Sequence, residues 1–126
     1  MRVIVADKDP YDLAAYKSAI EASDVRVITA TDGAELERLV AEQLPDVVVV
    51  ASSLGHMGGF ACSRDLKTMQ DTGVIPQIKV LVLLEREADA WLAAWSRCDA
   101  YLVKPIEPDE VARVTAELGG TRAGAA

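Results

Sequence analysis

The sequence predicts an α/β fold: a doubly wound, five-stranded parallel sheet in which a βα unit repeats five times. Three observations predict it. Short β-branched apolar runs recur along the chain, and the run at residues 47–51 (VVVVA) is apolar without a break, as in a strand buried on both faces. Segments with apolar residues at helical spacing separate these runs. The alternation of the two is regular, which implies a parallel sheet with helices on both faces and right-handed crossovers.

Each element has its local reason. Residues 3–6 form a first strand, ended by Asp7, Lys8, Asp9 and Pro10. Asp9 is placed to cap a first helix with Pro10 at its first position. That helix carries Leu13, Ala14, Tyr16, Lys17 and Ile20 as its stripe. A second strand follows at 25–29, then a turn at Thr31, Asp32 and Gly33. The second helix, 34–43, turns Leu36, Leu39, Val40 and Leu44 inward. After the third strand at 47–51, a third helix at 59–70 buries Phe60, Leu66 and Met69. The fourth strand is 78–84 and the fourth helix 87–96. The fifth strand, 100–103, is closed by Lys104 and Pro105. The last helix spans 107–118, and Gly119 with Gly120 is expected to stop it. Residues 1–119 then form one domain and 120–126 a flexible tail.

A chain of 126 residues suits one domain, and 51% apolar content supplies a core. The net charge is −7, from 20 acidic and 13 basic residues, and the cations are dispersed. A nucleic-acid surface needs clustered Lys and Arg, so none is expected. Cys62 and Cys98 fit no zinc or paired redox spacing and read as buried thiols of a reducing compartment. The N-terminus is too short and acidic for a signal peptide, and no apolar run reaches the ~18 residues of a membrane span. The expected location is cytoplasmic.

In open α/β sheets ligands bind at the carboxyl ends of strands. The buried third strand runs there into PDVVVVASSLGHMGGF, and its last residue, Ala51, has no functional group. Ser52 and Ser53 read as loop residues or as alternative phospho-acceptors, and no general base is apparent beside them. His56, the one histidine, lacks an orienting partner and reads as a surface residue. Gly55, Gly58 and Gly59 fit turn geometry better than a phosphate loop, because no Lys-Ser/Thr pair accompanies them. Trp91 and Trp95, four residues apart in a stripe with Ala88, Leu92, Ala94 and Cys98, are either core or a partner surface.

Four stretches, VIVADKDP, PDVVVVASSLGHMGGF, KVLVLLE and DAYLVKPIEPDEV, together resemble the receiver domain of two-component response regulators over essentially the whole length. The resemblance implies a flavodoxin-like fold. It also implies a site with two acidic Mg²⁺ ligands after the first strand, an acceptor aspartate ending the third, a Thr or Ser ending the fourth and a Lys ending the fifth. Carried over by position, Asp7 keeps the first acidic place and Lys8 takes the second. Ala51 takes the acceptor's place and Leu84 that of the hydroxyl. Tyr101 takes the aromatic switch position, Lys104 the lysine, and Pro105 the proline whose peptide bond is usually cis.

Phosphoryl transfer rests on positioning and charge neutralisation. Ala51 cannot form an acyl phosphate, and Lys8 puts a cation where a hard cation would need oxygen ligands. The expectation is an atypical receiver that is not phosphorylated at the usual position, is not an enzyme, and uses no cofactor or metal. Asp7, Lys8, Asp9 and Lys104 read either as an internal ion network in place of the metal or as a solvated cluster at the loop mouth. Output is expected through a protein partner or homodimer on the fourth helix, fifth strand and last helix, with Trp91, Trp95 and Tyr101, and to lie with a separate chain. The alternative is a small-ligand module using the cleft above Ala51. An enzyme lacks its acid–base or nucleophile–base pair in this sequence.

Overall fold

A computed structural model describes residues 1–55 and 58–124, the last four as backbone. The elements are β1 (Arg2–Ala6), α1 (Pro10–Glu21), β2 (Arg26–Ala30), α2 (Gly33–Gln43), β3 (Val47–Ala51), α3 (Gly58–Asp71), β4 (Lys79–Leu84), α4 (Ala90–Trp95), β5 (Ala100–Val103) and α5 (Pro108–Gly124). The five strands are all parallel, in the order β2-β1-β3-β4-β5.

Side chains alternate across the sheet and define two cores. Val48, Val50, Val80, Val82 and Leu84 face Leu36 and Val40 of α2, Cys62 and Leu66 of α3, and Ala93 of α4. Val47, Val49, Leu81 and Leu83 face Tyr16 and Ile20 of α1 and Val111 of α5. Because β3 lies between two neighbours and two helical layers, all five of its residues are buried, which is why its sequence is apolar without alternation.

Local chemistry sets the helix starts. The Asp9 carboxylate accepts from the backbone N–H of Tyr11 (2.9 Å) and Asp12 (3.2 Å), with Pro10 opening α1. Asp32 accepts from Glu35 N–H at 2.8 Å and caps α2. Each such cap contributes about 1 kcal/mol. At the amino ends of β4 and β5, Lys67 of α3 donates to the Ile78 carbonyl (2.9 Å) and the Asp99 carboxylate (2.7 Å). The same Asp99 oxygen accepts from Val80 N–H at 2.7 Å. This contact bolts α3 to both strands.

Several sequence expectations are corrected. Residues 87–96 are not one helix: Glu87–Asp89 form a 3₁₀ turn, and α4 is only six residues long. Arg97, at φ 62°, then turns the chain toward β5. Leu44 does not face the core. It ends α2 in the left-handed region (φ 48°) and its side chain is exposed. Ala14 is exposed as well.

Gly119 and Gly120 do not stop α5, which continues to Gly124. A Cβ on Gly119 would meet the Met1 sulfur, the end of a flexible side chain, and touch Val47. The core reading of the tryptophans also fails. Ala93 is the buried centre of α4, and positions two residues to either side of it lie on the opposite face of a helix. Trp91 is accordingly 68% exposed and Trp95 46%.

Candidate functional site: a cleft at the carboxyl ends of the strands

The strand order brings the ends of β1, β3, β4 and β5 side by side, and with them Asp7, Ala51, Glu85 and Lys104. Lys104 follows directly on β5, tied there by its N–H to the Leu84 carbonyl (2.8 Å). Its ammonium lies 2.9 Å from Asp7 Oδ2, 2.9 Å from Asp12 Oδ2 and 3.6 Å from Glu85 Oε1. Asp7 is 1% exposed, and its other oxygen accepts from Asp9 N–H at 2.9 Å. Ser53 donates to Glu85 Oε1 at 2.9 Å. These groups line an open cleft of about 290 Å³ whose walls also include Lys8 and Asp9. The walls thus carry Asp7, Asp9, Asp12 and Glu85 against Lys8 and Lys104, an excess of carboxylate.

Burial alone would lower the pKa of Lys104, but its hydrogen bonds to Asp7 and Asp12 outweigh that and hold it above the ordinary lysine value. Burial pushes the nearby Tyr16 phenol up to about 12, against the pull of Lys104.

The predicted residues divide. Asp7 and Lys104 meet as expected. Lys8 does not join them: it is exposed at the rim, and no ion pair among the described residues includes it. Asp9 is the cap of α1 and no partner of Lys104. Ala51 is fully buried and does not line the cleft, so the cleft gives no opening above Ala51 and the small-ligand alternative finds no support. A Cβ on Gly59 would overlap the Ala51 backbone, which is why glycine opens α3 there. Leu84 closes β4 with its side chain in the α2–α3–α4 core. His56 lies outside the described residues.

Tyr101 is the second residue of β5, paired with Val82, and 40% exposed. It does not pack inward on Leu84; its hydroxyl points to Glu87 (3.5 Å). The Lys104–Pro105 bond is cis.

Two cleft residues were missed from sequence, Asp12 and Glu85. Their signals were present. Asp12 stands in the first turn of α1, three residues after its cap, and Glu85 follows β4 directly.

The donor set does not suit Mg²⁺. A hard cation needs several free oxygens, yet one oxygen each of Asp7 and Asp12 holds the Lys104 ammonium and the other Asp7 oxygen holds the Asp9 N–H. Among the described residues, no group of three or more His, Cys, Asp or Glu side chains is placed to hold a metal.

The profile of the response regulator receiver domain matches residues 3–116. The chain belongs to this family. It is 34% identical over 120 residues to the transcriptional regulatory protein PrrA of Mycobacterium tuberculosis, covering 93% of this chain and 49% of that protein. It therefore spans about half the length of that relative. It is 24% identical to protein PilH of Pseudomonas aeruginosa, covering 94% of this chain and 98% of PilH. The fold superposes on the NarL receiver domain of M. tuberculosis with a TM-score of 0.83, at 23% identity and 94% and 95% coverage. It superposes at 0.88, with 16% identity and 98% and 91% coverage, on a chain of the Saccharomyces cerevisiae co-crystal of the histidine phosphotransfer protein Ypd1 with the Ssk1 receiver domain. The chain is thus a receiver domain of two-component signalling. No described helix of this receiver is long and apolar enough to cross a membrane.

Proposed function

We propose that this receiver has left the phosphorylation cycle and signals by standing protein contact. The observation that carries the reading is the state of Lys104: with Ala51 at the end of β3, its ammonium is already neutralised by Asp7, Asp12 and Glu85. The neutralisation that an acyl phosphate would receive is thus made within the chain. The direct test is incubation with acetyl phosphate and Mg²⁺. No hydroxylamine-labile phosphate is expected, and a stoichiometric amount would overturn the reading.

The contact surface proposed is α4, β5 and α5. Trp91, Trp95 and Tyr101 are all exposed there, beside a groove of about 350 Å³ between α4 and β5. Exposed tryptophan and tyrosine are the side chains that dominate binding hot spots. The partner is a protein, as it is for the Ssk1 receiver, or a second copy of this chain. Trp91→Ala and Tyr101→Ala should each abolish the association while circular dichroism stays unchanged. Association that survives both changes and is lost with changes in the cleft would move the output to the cleft.

A further inference from the structure

Ser53 brings a hydroxyl to the wall of the cleft, and the proposed function leaves it idle. It stands two residues past Ala51, half-buried, in the turn that follows β3. Its Oγ donates to Glu85 Oε1 at 2.9 Å. The same Glu85 oxygen lies 3.6 Å from the Lys104 ammonium, and Lys104 is itself held by Asp7 and Asp12 at 2.9 Å each. A hydroxyl bonded to a carboxylate that a third group orients is the arrangement of an activated nucleophile. The base that is not apparent beside Ser53 in the sequence thus comes from the end of β4. Ser52 has a different place. Its N–H donates to the Leu83 carbonyl, its carbonyl accepts from Gly59 N–H, and it does not line the cleft. Lys8 lines the cleft from the exposed rim, with its ammonium outside the Lys104 network.

We propose that Ser53 is a phospho-acceptor that takes a phosphoryl group from a small acyl phosphate, with Glu85 as its base, Lys104 as the positioning residue that holds Glu85, and Lys8 as the cation that meets the phosphoryl oxygens. In the step, Ser53 Oγ forms a bond to phosphorus while the bond from phosphorus to the acyl oxygen breaks. The donor's carboxylate leaves, and the hydroxyl proton passes to Glu85 and from there to water. The proton neutralises Glu85 as the phosphoryl group arrives, so the new ester does not meet its nearest carboxylate as an anion.

The product is a phosphate monoester. It lacks the activated acyl bond through which an aspartyl phosphate hydrolyses, so it is a lasting mark and not a turn of the receiver cycle. The inference therefore goes beyond the proposed function and does not rest on it: that reading concerns Ala51 and the charge on Lys104, this one the Ser53 hydroxyl.

The test is incubation of the whole chain with acetyl phosphate, then hydroxylamine treatment and peptide mapping by mass spectrometry. Phosphate that survives hydroxylamine and is released by alkali is expected on Ser53, and Ser53→Ala should remove it. Glu85→Gln can still accept the Ser53 hydrogen bond but takes up no proton, and should slow the reaction about 100-fold. Lys8→Met should slow it by a smaller factor, and added salt should bring the wild-type rate toward that of the variant. Ser53 and Glu85 stand at the open cleft, outside both cores, and circular dichroism checks that each variant keeps the fold. No hydroxylamine-stable phosphate, phosphate mapped to Ser52 or His56 in place of Ser53, or a Glu85→Gln protein that reacts at the wild-type rate overturns the proposal. Hydroxylamine-labile phosphate would count against the proposed function instead, so the two readings fail separately. Variants at Ala51 carry Ser53→Ala as well, so that only an acyl phosphate can form on them.

Discussion

Two lysines close the sheet at opposite ends, and they do different things. Lys67 at the amino ends is sealed: its side chain is 7% exposed and meets one carboxylate and one carbonyl. The same Asp99 oxygen also receives the Val80 N–H. Lys104 at the carboxyl ends is nearly as buried, at 12%, but faces three carboxylates, of which Asp12 and Glu85 reach solvent. The first is a bolt with nothing to spare. The second sits in an open cleft with excess negative charge. Function at a strand end, as opposed to fold, shows in that surplus.

The sharpest test is to remove the bolt. Lys67→Met leaves Asp99 with only the Val80 N–H and strands the Ile78 carbonyl. Breaking a buried pair from one side costs about 3–5 kcal/mol, and the partial exposure of Asp99 places the loss near ~2–4 kcal/mol. The urea midpoint should fall with an unchanged slope. Salt should not restore it, since no ion can enter.

Lys104→Met should cost less, about 1–2 kcal/mol, although its partner Asp7 is more buried than Asp99. Water and cations can enter the open cleft and replace the ammonium. Added salt should therefore recover a good part of the loss in urea titrations. A cost above that of Lys67→Met, insensitive to salt, would make the cleft a second structural bolt and remove the contrast.

The fold was legible because its signals are local and repeated. Apolar runs, Asp9 and Asp32 as caps, and regular alternation each specify a strand or a helix start independently. The cleft was half legible. Asp7 and Lys104 could be placed because each ends a strand, whereas Asp12 and Glu85 enter only through the angle at which α1 and the β4 loop lean over the strand ends. In the sequence Lys8 stays open between an ion network and a solvated rim, and the structure has Asp7 buried and Lys8 exposed at the cleft's edge. The tryptophans were ambiguous because a stripe of Ala, Trp and Leu does not say which residue is its centre. Only the burial of Ala93 decides it.

A smaller effect separates the two ends at high pH. The folded protein holds the Tyr16 proton to about 12, while an exposed tyrosine releases it near 10. Lys104 likewise keeps its proton above its ordinary value. In both cases the folded state binds the proton more tightly, so stability falls as pH rises beyond about 10. In Tyr16→Phe the midpoint should fall less steeply between pH 10 and 12. An unchanged slope would mean that the phenol is hydrated in solution and that the wall of the cleft on α1 is looser than drawn.

The smallest effect on stability carries the most information about chemistry. Lys8 is exposed and outside the Lys104 network, so Lys8→Asp should change stability by no more than about 0.5 kcal/mol. Its charge nevertheless sits at the mouth of the cleft, where a metal would have to bind beside Asp7. Ala51→Asp alone should therefore remain unphosphorylated by acetyl phosphate and Mg²⁺, because Lys8 still opposes the metal. Ala51→Asp together with Lys8→Asp gives an acceptor and a second oxygen ligand, and should take up hydroxylamine-labile phosphate. Equal phosphorylation of the single and double variants would clear Lys8 of any part in the loss. It would leave the missing Ala51 carboxylate as the sole cause, and show that the Asp12 and Glu85 contacts of Lys104 give way readily to a phosphoryl group.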